Sequence, residues 1–202
     1  MILPTVDEVR ALHERYAPSR EALEVVLTHC EIVSGIAEQL GAQAELSLDI
    51  AIDIDLVRVG ALLHDIGVYR LFDRAGRLDH RDYIRHGVLG HEILREEGFP
   101  ERLCRFCSCH TGVGLTRHDV RSQGLAIPEA DYLAETVEEQ LVMYADKFHS
   151  KTTPPTFLTA RTYATRLERF GADKVQEFGL LRARFGEPDL TSARARYGHG
   201  LV

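Results

Sequence analysis

The stretch Ala61-Leu62-Leu63-His64-Asp65-Ile66-Gly67 is an apolar helical run ending in two adjacent polar groups and a glycine. On a helix His64 and Asp65 lie about 100° apart, so both reach one centre only where the backbone stops being regular. Gly67 is expected to mark that stop in a left-handed conformation. Gly60 and Ala61, one turn back, are expected to clear space over the imidazole. The plainer alternative is a buried histidine capped by its acidic neighbour.

Outward from this run the chain reads as helices. Val6, Val9 and Leu12 give a short helix over about 5–16, and Ala17-Pro18-Ser19 breaks it, with Ser19 a cap for the next. That helix carries Val25, Val26, His29, Ile32, Val33, Ile36 and Leu40 on one stripe and is expected to stop at Gly41, so His29 sits within an apolar face. Asp53 or Asp55 caps the helix that delivers His64 and Asp65. Residues 69–79 read as a loop. A helix from about His80 to Gly98 carries His86 and His91, about 140° apart; His86, next to Gly90, is assigned to the site and His91 to packing or surface. The helix from Pro100 ends near His110, before Gly112 and Gly114. Thr116 caps a short helix, and 125–133 is a loop. The helix from about Glu135 puts Asp146 on an apolar stripe, where a lone carboxylate needs a cation; Lys147 is expected to point elsewhere, so a metal is favoured. Two more helices span about 156–170 and 173–185. No convincing strand is read, and 186–202 is expected to be a loose tail or to pack on a partner.

Across 202 residues, 45% hydrophobic and 27% charged, this predicts an all-α, compact helical bundle forming a single domain over 1–202. The formal charge of -7 argues against broad nucleic-acid or anionic-membrane binding. With no membrane span and no signal peptide read, a cytoplasmic location is expected. Cys104, Cys107 and Cys109 crowd before His110, but no second cysteine pair completes a closed zinc site, so reduced, packed thiols are expected there, as for Cys30.

The polar groups on buried faces or helix ends are His29, His64, Asp65, His86, His110 and Asp146. Imidazole and carboxylate without thiolate suit manganese, iron, zinc, cobalt or nickel. In this order they resemble the HD-domain metal-dependent phosphohydrolase superfamily, patterned as a histidine, a later His-Asp pair and a distant aspartate. The match is His29, His64-Asp65 and Asp146, and the HDIG spelling points to a recognised subgroup. Arg85-His-Gly-Val-Leu-Gly90, His110-Thr-Gly-Val-Gly-Leu-Thr116 and Tyr144-Ala-Asp-Lys147 look like stretches of uncharacterised bacterial and archaeal HDIG proteins.

The resemblance runs over about 20–170 and implies an HD-domain bundle with its core there, one or two divalent ions and a second metal position at His86 and His110, bridged by Asp65. It also implies hydrolysis of a phosphate ester, a nucleotide or related small molecule, by a metal-activated water, with His64 and Asp65 central to catalysis. Lys147, Lys151 and Arg85 are candidate phosphate contacts. The alternatives are a di-iron oxygenase and a catalytically idle regulatory module. Oligomeric state is open.

Overall fold

A computed structural model describes residues 3–48, 50–73 and 75–202. The α-helices are α1 (Val6–Tyr16), α2 (Arg20–Leu48), α3 (Ile54–Leu63), α4 (His86–Glu96), α5 (Glu101–Ser108), α6 (Arg117–Ser122), α7 (Val137–Ala145), α8 (Ala160–Leu167), α9 (Ala172–Phe185) and α10 (Thr191–Tyr197). The all-α bundle expected from periodicity is what forms. Its starts are chemically marked. Asp53 accepts from the Leu56 amide, and Thr5, Thr116 and Thr136 each build a reciprocal capping box with an acid three residues on.

α2 is the spine. It packs along α3, and α7 closes over both, while α4 lies against α5 and against the 3-10 turn at Ile66–Leu71. Val33, Leu40, Leu56, Leu63, Ile93 and Leu141 are fully buried between these helices. α2 does not end at Gly41. A Cβ there would meet Ile54 Cδ1 at 2.8 Å and Leu141 Cδ2 at 3.1 Å, so the glycine lets α3 and α7 approach a continuing helix. The expected helix start at His80 also moves: 80–82 is irregular, a 3-10 turn covers Tyr83–Arg85, and His86 opens α4.

The tail is not loose. α10 packs Ala193 and Tyr197 against the core, and three short strands are present, two between α7 and α8 and one after α10. β1 (His149–Ser150) runs antiparallel to β2 (Thr156–Phe157), and β2 runs parallel to β3 (Gly200–Leu201). The Val202 amide donates to the Phe157 carbonyl at 3.0 Å, and the Thr159 amide to that of Val202 at 2.9 Å. Two-residue strands are too short to show an alternating pattern, which is why periodicity gives none.

His13 ties α1 to the end of α3. Its ring nitrogens sit 2.9 Å from the Tyr69 hydroxyl and 2.8 Å from the Leu62 carbonyl, with no exposure. Burial lowers its pKa from 6.5 to about 4, chiefly by penalising the charged ring. Because the unfolded chain takes up that proton first, His13 contributes stability above pH 6.5 that is lost as the pH falls towards 4. Urea unfolding should show the wild type losing about 2 kcal/mol more than His13→Gln between pH 6.5 and 5. Equal losses would remove His13 as the source.

Candidate metal centre

Five helices each bring a polar group to one buried point. His29 lies mid-α2, His64 caps α3, His86 opens α4, His110 follows α5 and Asp146 caps α7. Asp65 stands between the two halves of the cluster. Its Oδ2 is 3.2 Å from His29 Nε2 and 3.6 Å from His64 Nε2, while its Oδ1 is 3.6 Å from the Nε2 atoms of both His86 and His110. Asp146 Oδ1 completes the first half, 2.9 Å from His29 Nε2 and 3.5 Å from His64 Nε2. His29, His64, Asp65, His86 and His110 are buried, and Asp146 is 16% exposed towards a cavity of about 330 Å³.

The backbone sets the ring orientations. His64 Nδ1 is 2.6 Å from the Ala61 carbonyl, His86 Nδ1 2.6 Å from that of Tyr83, and His110 Nδ1 3.1 Å from that of Phe106. A carbonyl can only accept, so each of these rings carries its proton on Nδ1 and turns a bare Nε2 inward. His64 Nε2 and Asp65 Oδ1 are buried without a hydrogen-bond partner. An orphaned imidazole lone pair and an orphaned carboxylate oxygen facing one centre fit a divalent ion, and the oxygen and nitrogen donors suit a transition metal. The six candidate ligands read from the sequence converge, as three overlapping groups: His29, His64 and Asp65; His64, His110 and Asp146; and Asp65, His86 and His110.

Two lysines enter the same space. Lys147 does not point elsewhere: it folds back, its Nζ donating to Asp146 Oδ2 at 2.6 Å and to the His110 carbonyl at 2.8 Å. Lys151 Nζ pairs with Asp65 Oδ2 and lies 5.5 Å from the centre of the Tyr83 ring. Burial opposes ionisation of both acids, yet Lys151 and then His64 hold Asp65 well below the usual carboxylate range, and Lys147 does the same for Asp146. Burial lowers the pKa of His86 to about 3 and that of His149 to about 2. Arg85 is not in the site. Its side chain is 44% exposed and pairs with Asp82 at 3.3 Å.

The glycines work differently from the sequence expectation. The chain leaves regular helix at Asp65, φ −108°, whereas Gly67 lies inside the 3-10 turn without a left-handed φ. A Cβ on Gly67 would fall 2.0 Å from the His86 carbonyl oxygen, and one on Gly60 would enter the Phe106 ring at 2.5 Å. Gly90 faces Cys107 rather than an imidazole. These residues let helices touch; they do not clear the metal position.

Several site residues carry no signal of their own in the sequence. Tyr83 stacks on His86 at 4.7 Å, and Tyr163 and Arg166 line the cavity. His149 meets His29 edge to edge, its Nδ1 2.8 Å from His29 Nδ1. Tyr83 and His149 each lie three residues from a candidate ligand, a weak hint.

His91 behaves as packing and surface: Nδ1 meets Ser108 Oγ at 3.1 Å and Nε2 lies 3.3 Å from the exposed Glu101. Cys30, Cys104, Cys107 and Cys109 are free and buried; burial raises the pKa of Cys104 to about 11 and also raises that of Cys107. Replacing Cys104, Cys107 and Cys109 together by Ala should leave the metal content unchanged and cost about 1 kcal/mol or more per site. Loss of a metal equivalent, measured by mass spectrometry, would instead make the His91, Glu101 and Cys104 group a site.

Comparisons with known proteins agree with the geometry. An uncharacterized protein of Methanocaldococcus jannaschii is 42% identical over 123 residues, 61% of this chain and 65% of that protein. A tRNA (cytidine(56)-2'-O)-methyltransferase of Picrophilus torridus is 33% identical over 132 residues, 65% of this chain but 33% of that protein. The chain thus spans less than two thirds of either relative. The HD domain of the L. monocytogenes phosphodiesterase PgpH superposes with a TM-score of 0.54 at 18% identity, covering 94% of this chain and 98% of that one, and a likeness at that identity concerns the fold alone. The same domain in complex with cyclic-di-AMP superposes with a TM-score of 0.54 at 17% identity, covering 94% and 97%. Residues 26–151 match the HD domain family, and with that match over more than half its length, the chain belongs to it.

Proposed function

We propose that this chain is a metal-dependent phosphohydrolase of the HDIG subgroup, one HD unit over 1–202, acting on a nucleotide or related small phosphate ester. The observation that carries this reading is the orphaned pair, His64 Nε2 and Asp65 Oδ1, inside a shell of imidazoles already oriented by backbone carbonyls. His29, His64, Asp65 and Asp146 would hold one ion, and His86 and His110 a second, with Asp65 shared. A divalent ion bound there supplies Lewis acidity, polarising a phosphoryl oxygen and making a bound water more acidic.

The chain's own residues do the rest. Lys147 and Lys151 supply positive charge at the cavity floor, where a phosphate would replace carboxylate as their partner, and Arg166 adds a cation at its wall. The Tyr83 ring offers an apolar face beside them. The PgpH domain that binds cyclic-di-AMP supports a nucleotide-class ligand. The reduced thiols support a cytoplasmic setting, and among the described residues no helix is long and apolar enough to cross a membrane.

Metal content of the purified protein should be one or two equivalents. A chelator should abolish turnover of some member of a panel of nucleoside monophosphates, cyclic nucleotides and dinucleotides, and manganese, iron, cobalt, nickel or zinc should restore it. Anomalous scattering from wild-type crystals should show two peaks, about 3.5–4 Å apart, against one in His110→Ala. One peak in both would recast His86 and His110 as substrate contacts. A metal-loaded protein inert across the panel would overturn the hydrolase reading.

A further inference from the structure

His29 differs from the other imidazoles of the centre in what stands behind it. His64, His86 and His110 each rest Nδ1 on a backbone carbonyl, whereas His29, in the middle of α2, has Nδ1 2.8 Å from His149 Nδ1. His149 Nε2 is in turn 2.9 Å from His199 Nδ1. The three rings lie end to end and nearly coplanar, the His29 and His149 ring centres 5.2 Å apart with planes 29° apart and those of His149 and His199 5.1 Å apart with planes 21° apart. β1 carries His149, and His199 leads into β3, so the small sheet holds the second and third rings in register. Phe157 on β2 packs its edge 5.0 Å from His149.

We propose that His149 and His199 are positioning residues for His29, a chain of two imidazoles that holds His29 in its metal-ligating tautomer; this rests on the metal reading of the site. Proton placement fixes the direction. For His29 Nε2 to offer a lone pair, Nδ1 must carry the ring proton and donate to His149 Nδ1. His149 then carries its own proton on Nε2 and donates to His199 Nδ1. The reverse direction puts the proton on His29 Nε2, towards Asp146 Oδ1 at 2.9 Å, where it would occupy the ligand lone pair. An outer partner that selects between these two tautomers acts on the metal through its ligand. The C-terminal strand is thus part of the centre.

Three variants test this. His149→Leu keeps bulk and removes the acceptor. His149→Asn can place its amide oxygen near the position of Nδ1. His199→Phe keeps an aromatic ring and removes the last acceptor. Manganese and zinc affinities, measured by chelator competition, should fall about 10- to 100-fold in His149→Leu. They should return to within about 3-fold of wild type in His149→Asn, and fall by a smaller factor than in His149→Leu in His199→Phe. Nitrogen-proton correlation spectra of the loaded wild type should show His29 protonated at Nδ1, and thermal unfolding confirms that each variant is folded. Wild-type affinity in His149→Leu, or equal impairment in His149→Asn and His149→Leu, would overturn the positioning role and leave packing. A wild-type chain that binds neither ion would overturn the metal reading itself, a result separate from both.

Discussion

The Asp65→Ala protein is expected to lose its bound metal and its turnover together, by more than the 10- to 100-fold that removal of an outer partner typically costs. Among the described residues, Asp65 is the one group whose two oxygens face both halves of the cluster, Oδ2 towards His29 and His64 and Oδ1 towards His86 and His110. Deleting a histidine removes one donor from one half; deleting this carboxylate removes a donor from each. The variant also strands Lys151, whose side chain is only 18% exposed, without its partner. Leaving one member of a buried pair uncompensated costs about 3–5 kcal/mol, so destabilisation could be mistaken for loss of the site. Asp65→Asn separates the two effects. It keeps shape and an accepting oxygen for Lys151, and it removes the negative charge. Metal loss in Asp65→Asn with near-native thermal unfolding supports the bridging role, and full metal content with turnover in a folded Asp65→Asn protein would place the centre elsewhere.

The candidate ligands are legible in the sequence for a physical reason. A polar side chain on an apolar helical stripe is an anomaly that periodicity exposes, and His29 and Asp146 stand out that way, as does the His64-Asp65 pair at the end of its run. The residues behind the ligands produce no such anomaly. His149 lies beyond a helix end, and its partners His29 and His199 are 120 and 50 residues away, a distance that no local pattern encodes. The two-residue strands that hold it are too short to show an alternating pattern. Lys147 shows a different gap. Its position beside Asp146 suggested the opposite direction on a continuing helix, but the 3-10 turn at Asp146–Phe148 changes the angle between neighbours and brings the ammonium onto the carboxylate. The charge argument for a cation at Asp146 was sound, and a lysine provides one. What a lysine does not satisfy is Asp65 Oδ1, which is why that atom speaks more directly for a metal than Asp146 does.

Glycine is ambiguous in a sequence because it answers two needs, a left-handed backbone and a close approach. Gly67 belongs to the second kind, and Gly67→Ala is expected to destabilise the protein by about 3 kcal/mol or more. The added Cβ would lie 2.0 Å from the His86 carbonyl oxygen and 2.2 Å from the Gly90 nitrogen. Both are backbone atoms of α4, so no rotamer change relieves the contact; the helix itself must move. Since His86 is the first residue of α4, the same movement drags a proposed ligand away from Asp65 Oδ1. Metal held at the His86 and His110 position should therefore weaken in Gly67→Ala more than metal held by His29, His64 and Asp146. Gly35→Ala is the control. Gly35 is an exposed helical glycine in α2 with nothing within 4 Å of an added Cβ, and there alanine should stabilise by about 0.5–1 kcal/mol. Urea unfolding of the two variants, with metal content read beside it, decides the point: a Gly67→Ala protein as stable as wild type would mean that α4 can slide past the His64-Asp65 turn, and the tight contact would lose its claim to set the position of His86.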